Sequence, residues 1–281
     1  MASANEIFLQ AVSIVKQAGT IISDRIFDAQ PTLLKDKFNF ATPVDYEVQE
    51  FIIGKLAQLV PDSAFLAEED HFGRYDTSQP LWVLDPIDGT TNFIHGYPHV
   101  AISLALVRHN KILFGIVYNP IAKELFYSQV GNGSYLNDQR IMISSNKTLD
   151  NCIIGFGLPY NRRKSAFLFQ KAQQVFSRCQ DIKRKGPASL DIAYVSCGRL
   201  DGYFELDLHP WDFVAGILIL EEAGGKITDW DGLPPSIDRS NNIIASNKYI
   251  HESLINVLNA KHVTALPRLP NHRVRASFRL P

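Results

Sequence analysis

Trp82-Val83-Leu84-Asp85-Pro86-Ile87-Asp88-Gly89-Thr90-Thr91-Asn92-Phe93 is an apolar strand that ends in two carboxylates three positions apart. Gly89 supplies a turn. Thr90, Thr91 and Asn92 then offer hydroxyls and the free backbone N–H groups of a helix start. Carboxylates bind hard cations, and N–H groups at a helix start bind anions. Together at one corner they point to a metal-assisted phosphate site. Asp-Pro and Asp-Gly also mark ordinary turns, so the surroundings of this corner decide its meaning.

Upstream, Ile7, Ala11, Ile14, Val15, Ala18, Ile21 and Ile22 recur at helical spacing. Val44, Val48, Phe51, Ile52, Leu56 and Leu59 give a second amphipathic helix, closed by Pro61. The stretch between them, with Pro31, Lys35, Asp36 and Lys37, reads as a loop. A first strand, Ala64–Ala67, ends in Glu68-Glu69-Asp70. Downstream, strand-like runs at 100–107, 112–118 and 124–128 are separated by turn signals at Asn110 and Gly131/Gly133, which predicts a largely antiparallel meander. The second half starts at 152–156. It has helical patterns at 164–178, 189–195, 212–223 and 251–260 and strands at 202–205 and 242–246, with Gly224-Gly225 as a helix stop. Blocks of strands and helices predict a layered α+β fold rather than strict βαβ alternation.

The 281 residues, 46% of them hydrophobic, suffice for one large domain or two closely joined lobes, about 1–150 and 151–260. A net charge of −1 argues against a dedicated nucleic-acid binder. Cys152, Cys179 and Cys197 form no CxxC pair and read as reduced thiols of a cytoplasmic protein. The N-terminus lacks the basic and apolar regions of a signal peptide, and no apolar run is long enough to cross a bilayer. Residues 261–281 contain Lys261, Arg268, Arg273, Arg275 and Arg279 and no acid. They read as a flexible, solvated basic tail. The sharper alternative is an arm that touches nucleic acid, anionic lipid or a partner subunit.

Acidic residues stand at the ends of several predicted elements: Glu68-Glu69, Asp85, Asp88, Asp212 at a helix start, and Asp45 as a fifth candidate. Singly, each reads as a cap or a solvated end. Gathered by the fold, they would repel one another unless cations lay between them. Oxygen ligands without clustered His or Cys select Mg²⁺ or Mn²⁺ over Zn²⁺. Two such ions about 4 Å apart suit hydrolysis of a phosphate ester. His95 and His99 flank Gly96-Tyr97-Pro98, which spoils a helix, so they read as loop or subunit contacts rather than zinc ligands. Lys183-Arg184-Lys185 is either a solvated face or a source of positive field for an anionic substrate.

The chain resembles the inositol monophosphatase family of Mg²⁺-dependent, lithium-sensitive phosphatases over roughly residues 5–260. The similarity rests on 85–93, on Glu68-Glu69, on Gly198-Arg199-Leu200-Asp201-Gly202-Tyr203-Phe204-Glu205, and on Trp211-Asp212 with Glu222-Ala223-Gly224-Gly225. It implies a layered αβαβα sandwich, commonly a homodimer, with phosphoric monoester hydrolase activity. Glu68, Asp85 and the Ile87 carbonyl would hold a first Mg²⁺, and Asp85, Asp88 and Asp212 a second. Glu69 and Asp45 would serve a weaker third ion through waters. Glu68 and Thr90, supported by Asp45, would orient and activate a water for in-line attack without a phosphoenzyme. The N–H groups of Gly89 and Thr90 would grip phosphate oxygens. Asp88, Glu205 and the backbone at Ala188 would meet substrate hydroxyls.

The implied substrate is inositol monophosphate or a similar polyol or sugar phosphate. The same chemistry on fructose 1,6-bisphosphate, phosphoadenosine phosphate, histidinol phosphate or NADP is the alternative. A purely non-catalytic interaction protein is disfavoured, because Glu68, Asp85, Asp88, Thr90 and Asp212 are all present. The chain departs from the family at Asn39-Phe40-Ala41-Thr42, where an Asp is common, and this lowers the expected third-ion affinity. Pro187 replaces a small polar residue at the substrate-side loop, and Val214 replaces a usual Ala.

Overall fold

The computed structural model describes residues 3–28, 32–36, 39–69, 77–159 and 161–260. Helix α1 (Ala4–Arg25) starts on a Ser3/Glu6 capping box. β1 (Leu33–Asp36) and β2 (Asn39–Ala41) form a small antiparallel pair where the sequence reads as a loop. Leu33 and Leu34 are both exposed there, so no burial alternation marks the strand. Helix α2 (Pro43–Leu59) starts on a second capping box, Thr42 with Asp45, and has Pro43 in its first turn.

β3 (Ala64–Ala67) runs parallel to β4 (Leu81–Asp88), and a single helical turn, α3 (Thr90–Ile94), follows. The meander continues as β5 (Ala101–Arg108), β6 (Lys111–Asn119), β7 (Glu124–Gln129), β8 (Ser134–Leu136) and β9 (Gln139–Ile141). All of its pairings from β4 onward are antiparallel, and the seven strands lie in chain order.

The second half contributes β10 (Ile153–Phe156), α4 (Ser165–Phe176), β11 (Asp181–Lys183), α5 (Ala188–Ser196), β12 (Gly202–Leu208), α6 (Pro210–Glu222), β13 (Lys226–Asp229), β14 (Asn241–Ser246) and α7 (His251–Asn259). Its five strands form a mixed sheet of order β11-β10-β12-β14-β13.

Alternation along β5 explains the layering. Ile102, Leu104 and Leu106 face a core shared with α1 and α2, whereas Ala101, Ala105 and Val107 face a core shared with α5 and α6. The second sheet covers the other side of α5 and α6, and its outer face carries α4 and α7. The stack is therefore the αβαβα sandwich. Helix α6 is buried from Pro210 through Leu220, as a helix lying between two sheets must be. It approaches β6 at Gly115, where a Cβ would run into the carbonyl of Ala215. Ser103 on β5 donates its hydroxyl to the Trp211 carbonyl at 2.9 Å and pins the start of α6 to the sheet.

Cys152, Cys179 and Cys197 are free thiols. Among the described residues no helix is long and apolar enough to cross a membrane. Asp70 and the basic tail 261–281 lie outside the described residues.

Candidate active site

Side chains alternate along a strand, so three positions should place Asp85 and Asp88 on opposite faces of β4. A bulge prevents this. Asp85 pairs with Ser103 and Asp88 with Ala101, so three steps on β4 match two on β5. Pro86, which has no N–H to donate, sits in the interruption. Both carboxylates thus face the α6 side, while Ile87 joins the α1/α2 core. The Ile87 N–H donates to Asp85 Oδ1 at 3.1 Å.

Asp212 enters from the first turn of α6. Its Oδ2 accepts the His209 N–H at 2.7 Å in a capping box. Its Oδ1 is buried without a hydrogen-bond partner. The cap reading of Asp212 therefore accounts for one oxygen only. Carboxylate oxygens of Asp85, Asp88 and Asp212 lie within 4.8 Å of one another, and all three residues are buried.

Glu68 follows β3 and lies near enough to Asp85 for its charge to raise that carboxyl. The Lys35 ammonium lies 2.9 Å from Glu68 Oε1 and 2.6 Å from Glu69 Oε1. Glu69 Oε2 is buried without a partner, and the Glu69 N–H donates to Gln49. The Thr90 hydroxyl lies 3.0 Å from Asp45 Oδ1 and 3.1 Å from the Ile87 carbonyl. Asp45 Oδ2 accepts the N–H and hydroxyl of Thr42, so this residue both caps α2 and receives Thr90. Gly89 takes a left-handed φ of 95°, and a Cβ there would lie 3.3 Å from the His99 carbonyl. No side chain caps α3.

Asp88 Oδ2 accepts the Ser189 N–H at 2.9 Å, which ties β4 to the start of α5. Glu205, on β12, accepts the Tyr203 hydroxyl. A cavity of about 500 Å³ joins these groups; Glu68, Asp85, Asp88, Thr90, Glu205 and Asp212 line its inner end. Ile87, Gly89 and Ala188 also contribute to its wall. Asp45 and Glu69 stand behind that wall. His95 and His99 are not in it, and His99 instead packs on Tyr97 and Tyr194.

Burial pushes the carboxyl of Asp85 well above the usual range, and the charges of Glu68, Asp88 and Asp212 add to it. Asp212 moves the same way, through burial and then through Asp88 and Glu68. Burial raises Asp88 to about 7, against the opposing pull of Ser189. It raises Glu205 to about 8 and Glu69 to about 7. Burial also disfavours the charged form of Lys35, but Glu68 and Glu69 outweigh it and hold the amine protonated. Carboxylates crowded this closely ionise together only if a cation neutralises them. The oxygen-only donor set, with Asp212 Oδ1 unpartnered, fits a hard divalent ion.

Some partners are not marked in the sequence. Lys35 stands in a mixed stretch without periodicity, and its reach to Glu68 and Glu69 spans 33 and 34 residues. The link from Ser189 to Asp88 joins two halves of the chain. The Thr42/Asp45 capping box, by contrast, is a visible local pattern that explains how Asp45 is fixed.

This layered fold, with its buried acidic cavity, is that of a family of phosphatases. The model of the inositol monophosphatase family matches residues 4–262, and the chain belongs to that family. It is 35% identical over 223 residues to an inositol-1-monophosphatase of Mesorhizobium japonicum, covering 79% of this chain and 84% of the relative. It is 36% identical over 240 residues to the Nus factor SuhB of Vibrio cholerae, covering 84% and 90%. The solved structure of the extragenic suppressor protein SuhB from Bartonella henselae matches with a TM-score of 0.85 at 34% identity, over 92% of this chain and 99% of that one. Inositol monophosphatase-II of Staphylococcus aureus, solved with inositol monophosphate bound, matches with a TM-score of 0.76 at 29% identity, over 88% and 91%.

Proposed function

We propose that the protein is a Mg²⁺-dependent phosphomonoesterase acting on inositol monophosphate or a similar polyol or sugar phosphate. The observation that carries this reading is the buried trio Asp85, Asp88 and Asp212, with Asp212 Oδ1 unpaired. Glu68, Asp85 and the Ile87 carbonyl would hold one ion, and Asp85, Asp88 and Asp212 a second. Glu69 and Asp45 would serve a weaker third. Mn²⁺ suits the same oxygen set. Bound Mg²⁺ supplies positive charge at the phosphate oxygens and lowers the pKa of a water molecule.

The side chains then do the positioning. With its hydrogen donated to Asp45, Thr90 turns an oxygen lone pair toward the pocket and accepts a hydrogen bond from the attacking water. Glu68 accepts the other, and the pair aims the water along the line of the breaking P–O bond. The N–H groups of Gly89 and Thr90 take phosphate oxygens. Asp88, Glu205 and the Ala188 backbone hold hydroxyls of the alcohol. A relative named as an inositol-1-monophosphatase and a neighbour with inositol monophosphate bound support this substrate class. The free cysteines fit a cytoplasmic setting, and a homodimer is included in the same reading. Relatives named Nus factor SuhB favour a second role near nucleic acid, for which the basic residues of 261–281 are the obvious candidates.

The test is phosphate release from a panel of inositol, sugar and nucleotide phosphates, with and without Mg²⁺ and with added Li⁺. Mg²⁺-dependent, Li⁺-blocked release from inositol phosphate is the expected outcome. Preference for fructose 1,6-bisphosphate, phosphoadenosine phosphate, histidinol phosphate or NADP would keep the chemistry and move the substrate. Release that ignores Mg²⁺ would overturn the mechanism.

A further inference from the structure

Glu205 is held from two sides. Alternation along β12 puts Tyr203 and Glu205 on the same face, toward α5 and α6. Tyr203 is fully buried, and its hydroxyl donates to Glu205 Oε2. A phenylalanine would fill the same space, so packing explains the ring of Tyr203 but not its hydroxyl. Glu205 Oε1 receives no hydrogen bond among the described residues, and the residue lines the cavity. On the other side, Gly157 follows β10, which runs parallel to β12 with Phe156 opposite Phe204. The Gly157 N–H donates to the Phe204 carbonyl at 3.2 Å and keeps the turn beside β12. A Cβ at Gly157 would run into the Glu205 carboxylate, whose atoms are the three nearest to it. Gly157 is not among the glycines of left-handed φ, so room for Glu205, not backbone conformation, calls for glycine there.

A glutamate has three rotatable bonds, and a substrate that had to order them would bind more weakly. Here the hydroxyl on one side and the bare α-carbon on the other remove that freedom before the substrate arrives. We infer that Tyr203 and Gly157 form a clamp that positions Glu205, so that Oε1 accepts a hydroxyl of the alcohol and the enzyme selects phosphate esters of hydroxyl-bearing alcohols over esters without one. Tyr203 does not line the cavity and acts through Glu205 alone. The inference rests on the proposed phosphomonoesterase reading and adds to it two positioning residues.

The test compares inositol monophosphate with p-nitrophenyl phosphate, whose leaving group carries no hydroxyl for Glu205, in saturating Mg²⁺. In Tyr203→Phe the KM for inositol monophosphate should rise about tenfold with kcat within about twofold, while both constants for p-nitrophenyl phosphate stay at the wild-type level. Gly157→Ala pushes the carboxylate from the other side. It should show the same split, and it decides the matter if Tyr203→Phe does not fold. A double-mutant cycle follows the route of the effect: in a Glu205→Ala background, Tyr203→Phe should add nothing to the KM for inositol monophosphate. Wild-type constants in both Tyr203→Phe and Gly157→Ala, or an equal loss on the two esters, would overturn the clamp while leaving the phosphatase reading intact. Additive effects of Tyr203→Phe and Glu205→Ala would do the same. If the wild type releases phosphate from neither ester in Mg²⁺, the phosphatase reading falls and the clamp with it.

Discussion

Burial makes charge on Asp85 and Asp212 costly, and a bound cation offsets that cost. Replacing either by Asn removes a ligand and a repulsion together. Asp85→Asn and Asp212→Asn should therefore lower turnover by about a thousandfold in saturating Mg²⁺. In EDTA both variants should melt above the wild type. Phosphate release and thermal melts check the pair; near-normal turnover would refute the two-ion assignment. Glu205 gives a pH test. Burial lifts its pKa from 4.5 to about 8, so the folded protein binds this proton more tightly than the unfolded chain does. The resulting stabilisation is full below pH 4.5 and is lost as pH rises through 8. Asp88 and Asp191, both raised to about 7, act in the same sense. The melting temperature of the metal-free protein should fall across that window, and less steeply in Glu205→Gln. Identical slopes would remove Glu205 from the account.

Among the elements, α6 sets the geometry of the site, because it brings Asp212 to β4 and is held by β6 at Gly115 and by Ser103 on β5. At Gly115 the obstacle to a side chain is backbone, which cannot rotate aside. Gly115→Ala should cost about 3 kcal/mol of stability and weaken Mg²⁺ binding by shifting α6 outward. Urea titration and a Mg²⁺ titration of the melting temperature read the two effects; unchanged stability would show that α6 is not seated this way. The same element shows what the sequence discloses. Long periodic runs such as α1, α2 and the β5–β7 meander are legible because their burial pattern is local. That α6 lies between two sheets is decided by partners far along the chain, although its apolar character on all sides hints at it. β1, β8, β9, β11 and β13 have three or four residues each, too few to establish a period. The acids of the site are visible in the sequence as strand and helix ends. Their convergence is not, because Asp85 and Asp88 meet only through the bulge, and Lys35 reaches Glu68 from a stretch with no pattern.

At the scale of the molecule, the candidate ligands come from β4, α6 and the end of β3, so a bound ion bridges layers that separate on unfolding. Mg²⁺ should raise the melting temperature with the logarithm of its concentration, by about 2.7 kcal/mol of stability at a hundred times its dissociation constant. It should also release protons, because the raised carboxyls must ionise to bind it. Calorimetry in buffers of different ionisation enthalpy measures both, and the absence of proton release would contradict the carboxylate ligand set. Deleting 264–281 should leave turnover unchanged, since no candidate site residue falls there; a folded truncation with little activity would contradict that.

The interruption in β4 makes the site depend on a count as well as on residue identity. Removing Pro86 would restore an even match with β5 and yield a more regular sheet. That deletion would leave both aspartates on one side, two steps apart, whereas one residue inserted opposite, between Ala101 and Ser103, would even the match at three steps and send the carboxylate of residue 88 toward the apolar layer under α1 and α2. The insertion would thus even the ladder and erase the chemistry without altering any acidic residue. The strand pair should tolerate several substitutions before it tolerates that one insertion, because the mismatch of three steps against two keeps both aspartates on one side.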